Sequence, residues 1–507
     1  MDLFANLAHG FSILSDPYVL LYSFIGVVAG VIIGALPGLG PSVGIAVLLP
    51  MCYGLSATSA LCMLCGIYYG AMYGGSITAI LINTPGDSAA VMTTMDGYPL
   101  ARKGEAGKAL GMACFASVIG GTISVVLFMM LAPVISSYAL SFGSSEYFAL
   151  MILGLTSIAG MTGKSPAKGF LAVFLGLFIS GIGIDLVYGT QKFVFGNVHL
   201  YSGIDFVPVA MGLFGIAEII SEKTDNNIRM DKESLRFKRL LPNRKEWGIC
   251  LPHIGRGTIL GFLVGMLPGA GATIAAFLSY GMAKNVSKRG DQFGTGVLEG
   301  VAAPESANNA ASMGAMVPML TLGVPGSGAT AIMMGALMML GVTPGPSFFT
   351  KNVDVAWGLV ASMYLGNVLL VILGICGVSL FVKVLNVKNT TLNALIFAFI
   401  LIGAYALENS MFTVGLTLFF GLLGYIFKKL NVPAAPMVLG IVLGYLTESN
   451  LRQALIIDNG NIFAVISHPI SSVILILALF LAFGTPLRKL IQRFRSKKRS
   501  GFGVKAP

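Results

Sequence analysis

Apolar stretches of about twenty residues recur from Tyr18 to Phe483, among them Val360–Leu380, Leu392–Leu407 and the segment around Ser471–Phe483. A run of about 20 apolar residues crosses a bilayer as a helix. In lipid, only helices and closed barrels satisfy every backbone polar group internally. The ten-residue alternation of a membrane barrel is not apparent. Charged residues make up 10% of the 507 residues, against about a quarter in water-soluble domains. So few charges cannot cover a water-facing surface of this size. The 65 glycines suit a membrane bundle, where small residues let helix backbones approach closely. The expected fold class is therefore an all-α, multi-pass membrane protein. The N-terminus lacks a basic segment and a small-residue cleavage site after a short apolar core, so no cleavable signal peptide is expected.

The net charge of +11 reads as topology rather than as an affinity for nucleic acid, because Lys and Arg collect on the cytoplasmic side of membrane proteins. Seven clusters hold 28 of the 32 Lys and Arg: Arg102/Lys103/Lys108, Lys164/Lys168, Lys223–Lys245, Lys284/Lys288/Arg289, Lys383/Lys388, Lys428/Lys429 and Arg488–Lys505. Placing all seven inside gives a consistent path, with the N-terminus outside and the C-terminus in the cytoplasm. Single crossings are expected near 109–138, 146–162, 169–187, 205–221, 355–384, 391–407, 411–427, 434–447 and 470–486. The basic tail is expected to anchor the topology against anionic lipid.

Two stretches match each other. Gly26–Gly40 reads GVVAGVIIGALPGLG, and Gly257–Gly271 reads GTILGFLVGMLPGAG; seven positions are identical at one offset. A second pair follows, Asn83-Thr84-Pro85-Gly86-Asp87-Ser88 and Gly323-Val324-Pro325-Gly326-Ser327-Gly328. By the charge map the first copy begins outside and the second inside. The expected architecture is two inverted repeats with broken or re-entrant helices. The first covers 1–221, with broken helices over 18–97 and spans over 109–221. A cytoplasmic loop follows at 222–247, the second repeat at 248–447, and an extra span with the basic tail at 448–507. Inverted repeats with Gly/Pro-broken helices characterise secondary transporters, because two oppositely oriented halves can open one site alternately to either face.

The GxxxG runs read as ordinary helix packing. The Pro-Gly breaks read as a binding site, since bare backbone at membrane depth is tolerated only where it is buried in protein or lines a wet cavity. Half-helix N-termini present free N–H groups and partial positive charge to an anion. The candidate residues at the breaks are Gly38, Gly40, Ser42, Asn83, Thr84, Pro85, Gly86, Asp87, Ser88, Gly269, Gly271, Thr273, Pro325, Gly326 and Ser327. The second copy adds Glu305, Ser306, Asn308 and Asn309, too polar for a lipid-facing helix. Aligned from the Pro-Gly pairs, Asn308-Asn309 corresponds to Tyr68-Tyr69, which join the candidates. Intramembrane acids are functional candidates, so Asp87 and Glu305 are read as possible Na⁺ ligands or proton carriers, against helix capping or a wet vestibule. Asp96 and Glu105 are expected in a solvated loop. Cys62 and Cys65 form a CxxC with no His or second pair nearby, and read as core thiols.

On these residues the chain resembles the large membrane subunit of the tripartite tricarboxylate transporter family. The carrying motifs are GALPGLGPS (34–42), NTPGDSAAVMTTMDGYPLARKGEAGKALG (83–111), GMLPGAGATIAAFLSYGMAK (265–284), GVLEGVAAPESANNAASMGAMVPMLTLGVPGSGATAIMMGAL (296–337) and GVTPGP (341–346). After about residue 350 only the hydrophobic character matches. The resemblance implies a permease of the bacterial inner (cytoplasmic) membrane. It implies two partners, a small four-helix membrane subunit and a periplasmic solute-binding protein. It further implies uptake of citrate or other carboxylates, driven by a gradient of Na⁺ or H⁺. No cofactor is expected.

Other classes fit less well. A TRAP-type carboxylate permease lacks the NTPGD and PESANNAA strings. A passive anion channel normally carries repeated filters or rings of charge, whereas the matched breaks place Asp87 against Ser327. An enzyme is not expected, with no HExxH, no GxSxG nucleophile elbow (the Gly40–Gly44 string follows a Pro-Gly break, not a strand) and no paired intramembrane aspartates.

Overall fold

The computed structural model describes residues 3–36, 39–83, 85–140, 142–161, 166–185, 190–221, 240–267, 271–377 and 389–480. The described chain is almost entirely helical. Among the described residues, six helices are long and apolar enough to cross a membrane: 17–34, 57–82, 106–139, 244–265, 353–376 and 411–429. Large apolar side chains such as Phe174, Val368, Phe399, Phe419 and Phe480 point outward, as a lipid-facing surface requires.

The first half runs α1 (Leu3–Leu14), α2 (Pro17–Gly34), α3 (Pro41–Leu48), α4 (Ala57–Ile82), α5 (Val91–Arg102), α6 (Ala106–Ala139), α7 (Ser144–Met161) and α8 (Pro166–Ser180). A short antiparallel hairpin follows, β1 (Gly183–Ile184) and β2 (Gln191–Lys192), and then α9 (Phe206–Ser221), which holds a π-helical segment at Met211–Ile216. The second half runs α10 (Arg244–Gly265), α11 (Gly271–Val286), α12 (Glu299–Leu322), α13 (Gly328–Met339), α14 (Val353–Cys376), α15 (Asn389–Glu408), α16 (Met411–Lys429), α17 (Ala435–Ile457) and α18 (Pro469–Phe480).

Local chemistry fixes several boundaries. Asp16 caps α2 by accepting from the N–H groups of Tyr18 and Val19, with Pro17 in the first turn. Asn243 and Glu246 form a capping box, so α10 starts at Arg244, inside the expected loop 222–247. The long helices α4 and α12 both end on a left-handed residue, Asn83 (φ 56°) and Gly323 (φ 68°). Those are residue types that tolerate this conformation, and they occupy matching positions of the two Pro-Gly motifs.

The core is built on α4 and α12, which are buried along nearly their whole length. Gly26, Gly30 and Gly34 of α2 rest on the backbone of Met63, Ile67 and Ala71 in α4. Gly257, Gly261 and Gly265 of α10 rest in the same way on Ala303, Ala307 and Ala311 in α12. A Cβ at any of the six would collide with that backbone. The packing reading of both GxxxG runs therefore holds, in the same register in each half. The halves also interlock: α12 packs on α6, α4 on α14, α3 on α13, and α11 on the start of α5.

A helix occupies each expected crossing, and those at 106–139, 353–376 and 411–429 are among the six long and apolar enough to span; three differences stand out. The 169–187 crossing ends at Ser180, because Gly183 adopts φ 134° and opens the hairpin. The 434–447 crossing continues as helix to Ile457. Helix α1 was not expected; it packs on α14. Parts of the expected 355–384 and 470–486 crossings lie outside the described residues.

Replacing Gly261 by Leu should lower the thermal stability of the detergent-purified protein by about 1–3 kcal/mol or more, the usual range for overpacking. Gly255→Leu, on the same helix but with no atom within 4 Å of an added Cβ, should leave it nearly unchanged. Equal melting temperatures for the two variants would contradict the packing described.

Candidate functional site

Described residues at or just after the four Pro-Gly motifs meet around one cavity of about 540 Å³, within the ~300–1,000 Å³ common for small-molecule sites. Each break starts a helix, and residues from all four starts line the walls: Gly40 and Ser42 before and in α3, Asp87 and Ser88 before α5, Gly271 and Thr273 in α11, and Ser327 before α13. Each helix N-terminus leaves N–H groups without an intrahelical partner. At α3 Gly40 provides no side-chain cap. No Lys, Arg or His is found among the described lining residues, and Asp87 is the one carboxylate there.

Two hydrogen bonds join the motif copies across the cavity. Ser88 Oγ lies 2.7 Å from Thr273 Oγ1, and Tyr68 Oη lies 3.1 Å from Ser327 Oγ. Each pairs a residue of the first copy with one of the second. Ser327 also forms a capping box with Thr330 at the start of α13. Asp87 Oδ1 accepts from the N–H groups of Ala89 (2.9 Å) and Ala90 (3.2 Å). The capping reading of Asp87 is therefore met, and its carboxylate still borders the cavity.

Close approach explains the glycines of the second motif pair. A Cβ on Gly86 would strike the Gly34 carbonyl and Gly75. A Cβ on Gly326 would crowd Ala315 and the Gly265 carbonyl. In both halves this glycine lets the break fold back onto the end of the preceding GxxxG helix.

The remaining candidates sit apart from the cavity wall. Glu305 is fully buried on α12, behind the wall. It accepts from Thr93 Oγ1 and, at 3.3 Å, from Ser117 Oγ. Asn309 donates to the Glu305 carbonyl (3.2 Å) and to Asn308 Oδ1 (2.7 Å). Ser306 donates to the Ala303 carbonyl. Tyr69 donates to the Ser362 carbonyl. Of the aligned pairs Tyr68-Tyr69 and Asn308-Asn309, then, only Tyr68 lines the cavity. Asn83 is the exposed cap of α4, and Pro325 and Gly326 are buried beside the wall. Gly38, Thr84 and Gly269 lie outside the described residues.

Asp96 corrects the sequence reading. It is fully buried on α5 and accepts from the N–H groups of Gly294 (2.9 Å), Gly296 (2.8 Å) and Val297 (3.0 Å) and from Tyr280 Oη (2.8 Å). The helix runs through Pro99 to Arg102, so the solvated loop begins only after it. There Glu105 pairs with Lys108 at 2.9 Å, half-exposed. The five buried cysteines, Cys62 and Cys65 included, are free thiols. Sequence reasoning missed Thr93 and Ser117, the hydroxyls facing Glu305, and the apolar wall residues Met72 and Val91. Met72 lies one helical turn after Tyr68, and that spacing was the available signal.

The comparisons with known proteins agree with this architecture. Residues 20–439 match the tripartite tricarboxylate transporter TctA family. The chain is similar to the "uncharacterized 52.8 kDa protein in TAR-I ttuC' 3'region" of Agrobacterium vitis, 41% identical over 94% of this chain and 95% of the relative. It is also similar to the "uncharacterized protein in TAR-II ttuC' 3'region" of that organism, 41% identical over 48% of this chain and 98% of the relative. No solved structure matches it.

Asp87→Ala should destabilise the protein by about 1 kcal/mol through loss of the cap, whereas Asp87→Asn, an equally good cap, should not. Thermal unfolding of both variants checks this. Equal losses would mean that the charge, not the cap, holds the break.

Proposed function

The chain belongs to the tripartite tricarboxylate transporter TctA family, and on that premise we propose that it is the large permease subunit of a cation-coupled importer of tricarboxylates or related carboxylates. The observation that carries this reading is the convergence of four helix starts, two from each motif copy, on one cavity with no basic side chain among its described lining residues. Free N–H groups and helix dipoles favour an anion there, and the hydroxyls of Ser42, Ser88, Thr273 and Ser327 add neutral donors. A carboxylate held without a fixed cation calls for a co-ion to offset its charge.

The two halves act as inverted repeats in this reading. Ser88–Thr273 and Tyr68–Ser327 are the contacts that part and re-form as the site opens to one face and then the other. Asp87 at the wall and Glu305 behind it carry the coupling ion, Na⁺ or H⁺. Glu305 suits the task because hydroxyl donors surround it, and a neutral or ion-bound carboxyl is tolerated there. The partners are a small four-helix membrane subunit and a periplasmic solute-binding protein that delivers substrate to the outer face of the inner membrane. The family match sets aside a TRAP-type permease. A passive anion channel is the competing reading.

Proteoliposomes containing the chain with its small subunit and binding protein test this with radiolabelled citrate. Uphill accumulation under an imposed Na⁺ or H⁺ gradient is expected, and equilibration without accumulation would indicate a channel. Thr273→Val, which removes a wall hydroxyl at nearly constant volume, should lower accumulation while the protein still elutes monodisperse. Glu305→Gln should reduce gradient-driven uptake at least about tenfold, the loss of one charge-assisted interaction of about 1.5–3 kcal/mol. Wild-type uptake by both variants would overturn the assignment of the site.

A further inference from the structure

A second cavity, of about 700 Å³, lies between the end of α8, the β1–β2 hairpin, the lead into α9 and the second half of α17. Four charged side chains meet in it. Lys192 Nζ lies 2.6 Å from Asp185 and 2.7 Å from Glu448. Arg452 lies 2.7 Å from Asp185 and 2.5 Å from Glu448. Both cations therefore share both carboxylates. The acids differ in setting: the Asp185 side chain is 3% exposed and that of Glu448 is 43% exposed. Hydrogen bonding to Asp185, and then to Glu448, pushes the Lys192 pKa up and keeps its charge in place.

The charge pattern of the chain makes this site unusual. Only Lys192, Arg256, Lys351 and Arg452 fall outside the seven basic clusters, and two of these four meet here. With those clusters inside, the hairpin and the end of α17 are on the outer face. Cations there run against the positive-inside bias and call for a local reason. The geometry also links the two cavities through α13. Its start, at Ser327 and Gly328, lines the central cavity, and Met338 and Met339 of its last turn line the outer one. Twelve residues at 1.5 Å each separate them by about 18 Å. Helix α5 also has twelve residues. It starts at the central cavity, and its Leu100 borders a cavity of about 190 Å³ holding Glu105, Lys245, Glu246 and Arg289.

We propose that the outer cavity is a receiving site for the carboxylate substrate, in which Glu448 holds the place that a substrate carboxylate takes between Lys192 and Arg452. The proposal rests on the reading of the chain as a carboxylate permease. The exchange keeps local charge balanced, one carboxylate leaving the cation pair as another enters. Buried Asp185 stays and keeps both cations aligned, while half-exposed Glu448 turns to water. An arginine beside a lysine holds a carboxylate by charge-assisted hydrogen bonds, the strong kind. The competing role is a purely structural clamp that fastens the hairpin to α17.

The test uses the full chain with Cys376→Ser, which removes the exposed thiol, and Ser449→Cys, at an exposed residue lining the cavity. Labelling by a membrane-impermeant maleimide in right-side-out vesicles is followed with citrate, succinate or chloride at matched ionic strength. The expected result is labelling from outside that citrate or succinate slows and chloride does not. Glu448→Gln should lower the half-protecting concentration about tenfold by removing the internal competitor. Lys192→Gln and Arg452→Gln should abolish protection while labelling persists. Absence of labelling from outside, protection no better than chloride, or protection unchanged in all three variants would overturn the proposal. The readout is independent of uptake. Protection without citrate accumulation would count against the permease reading alone, and accumulation without protection would count against the outer site alone.

Discussion

A broken helix at membrane depth strands backbone N–H groups where water cannot reach them, and each stranded group costs several kcal/mol unless protein or a wet cavity receives it. This constraint organises the structure. The four breaks are gathered around a single cavity, so their helix starts face one space rather than lipid. Asp87 and Ser327 cap two of the starts from within the motifs themselves. The GxxxG runs then serve the breaks: by seating α2 on α4 and α10 on α12 backbone to backbone, they bring Gly34 under Gly86 and Gly265 under Gly326. The same small residues that pack the bundle thus fix where the helices end.

The cavity is shared between the halves and so is sensitive to their relative position. Its cross-links are single hydrogen bonds between hydroxyls, Ser88 with Thr273 and Tyr68 with Ser327. Such contacts are modest, about 0.5–1.5 kcal/mol each, and suit an interface that opens and closes. The Asp96 carboxylate, by contrast, takes four donors from the loop before α12 and from α11. It fixes α5 firmly to the second half on the side away from the cavity. Movement in the proposed cycle must therefore leave this junction intact and be taken up on the cavity side.

Much of this was legible in the sequence because the constraint writes itself locally. LPGxG and Pro-Gly strings mark breaks, glycines every fourth residue mark a packing face, and long apolar runs mark spans. The capping role of Asp87 was foreseen as an alternative. The three-dimensional neighbours were not legible. Asp96 reads as a loop residue because it is charged and close to Arg102, yet its partners Gly294, Gly296 and Val297 lie some 200 residues away in sequence. Asn308 and Asn309 align with Tyr68 and Tyr69 but are buried on α12 away from the cavity wall, since a matched position does not guarantee a matched environment. Helix α1 escaped notice because its twelve residues fall short of a bilayer span. The strand pair 183–184 and 191–192 starts within the run read as a crossing to 187, where Gly181, Gly183 and Asp185 were the available hint.

The central claim is that the cavity between the motif copies is a site that must open and close for transport. A double variant, Ser88→Cys with Thr273→Cys, tests it most directly, because the native hydroxyls are 2.7 Å apart. The measurement is citrate accumulation in proteoliposomes before oxidation, after oxidation to the cross-link, and after reduction. The account predicts uptake by the reduced protein, its loss on cross-linking and its recovery with reductant. A fully cross-linked protein that accumulates citrate at the reduced rate would contradict it.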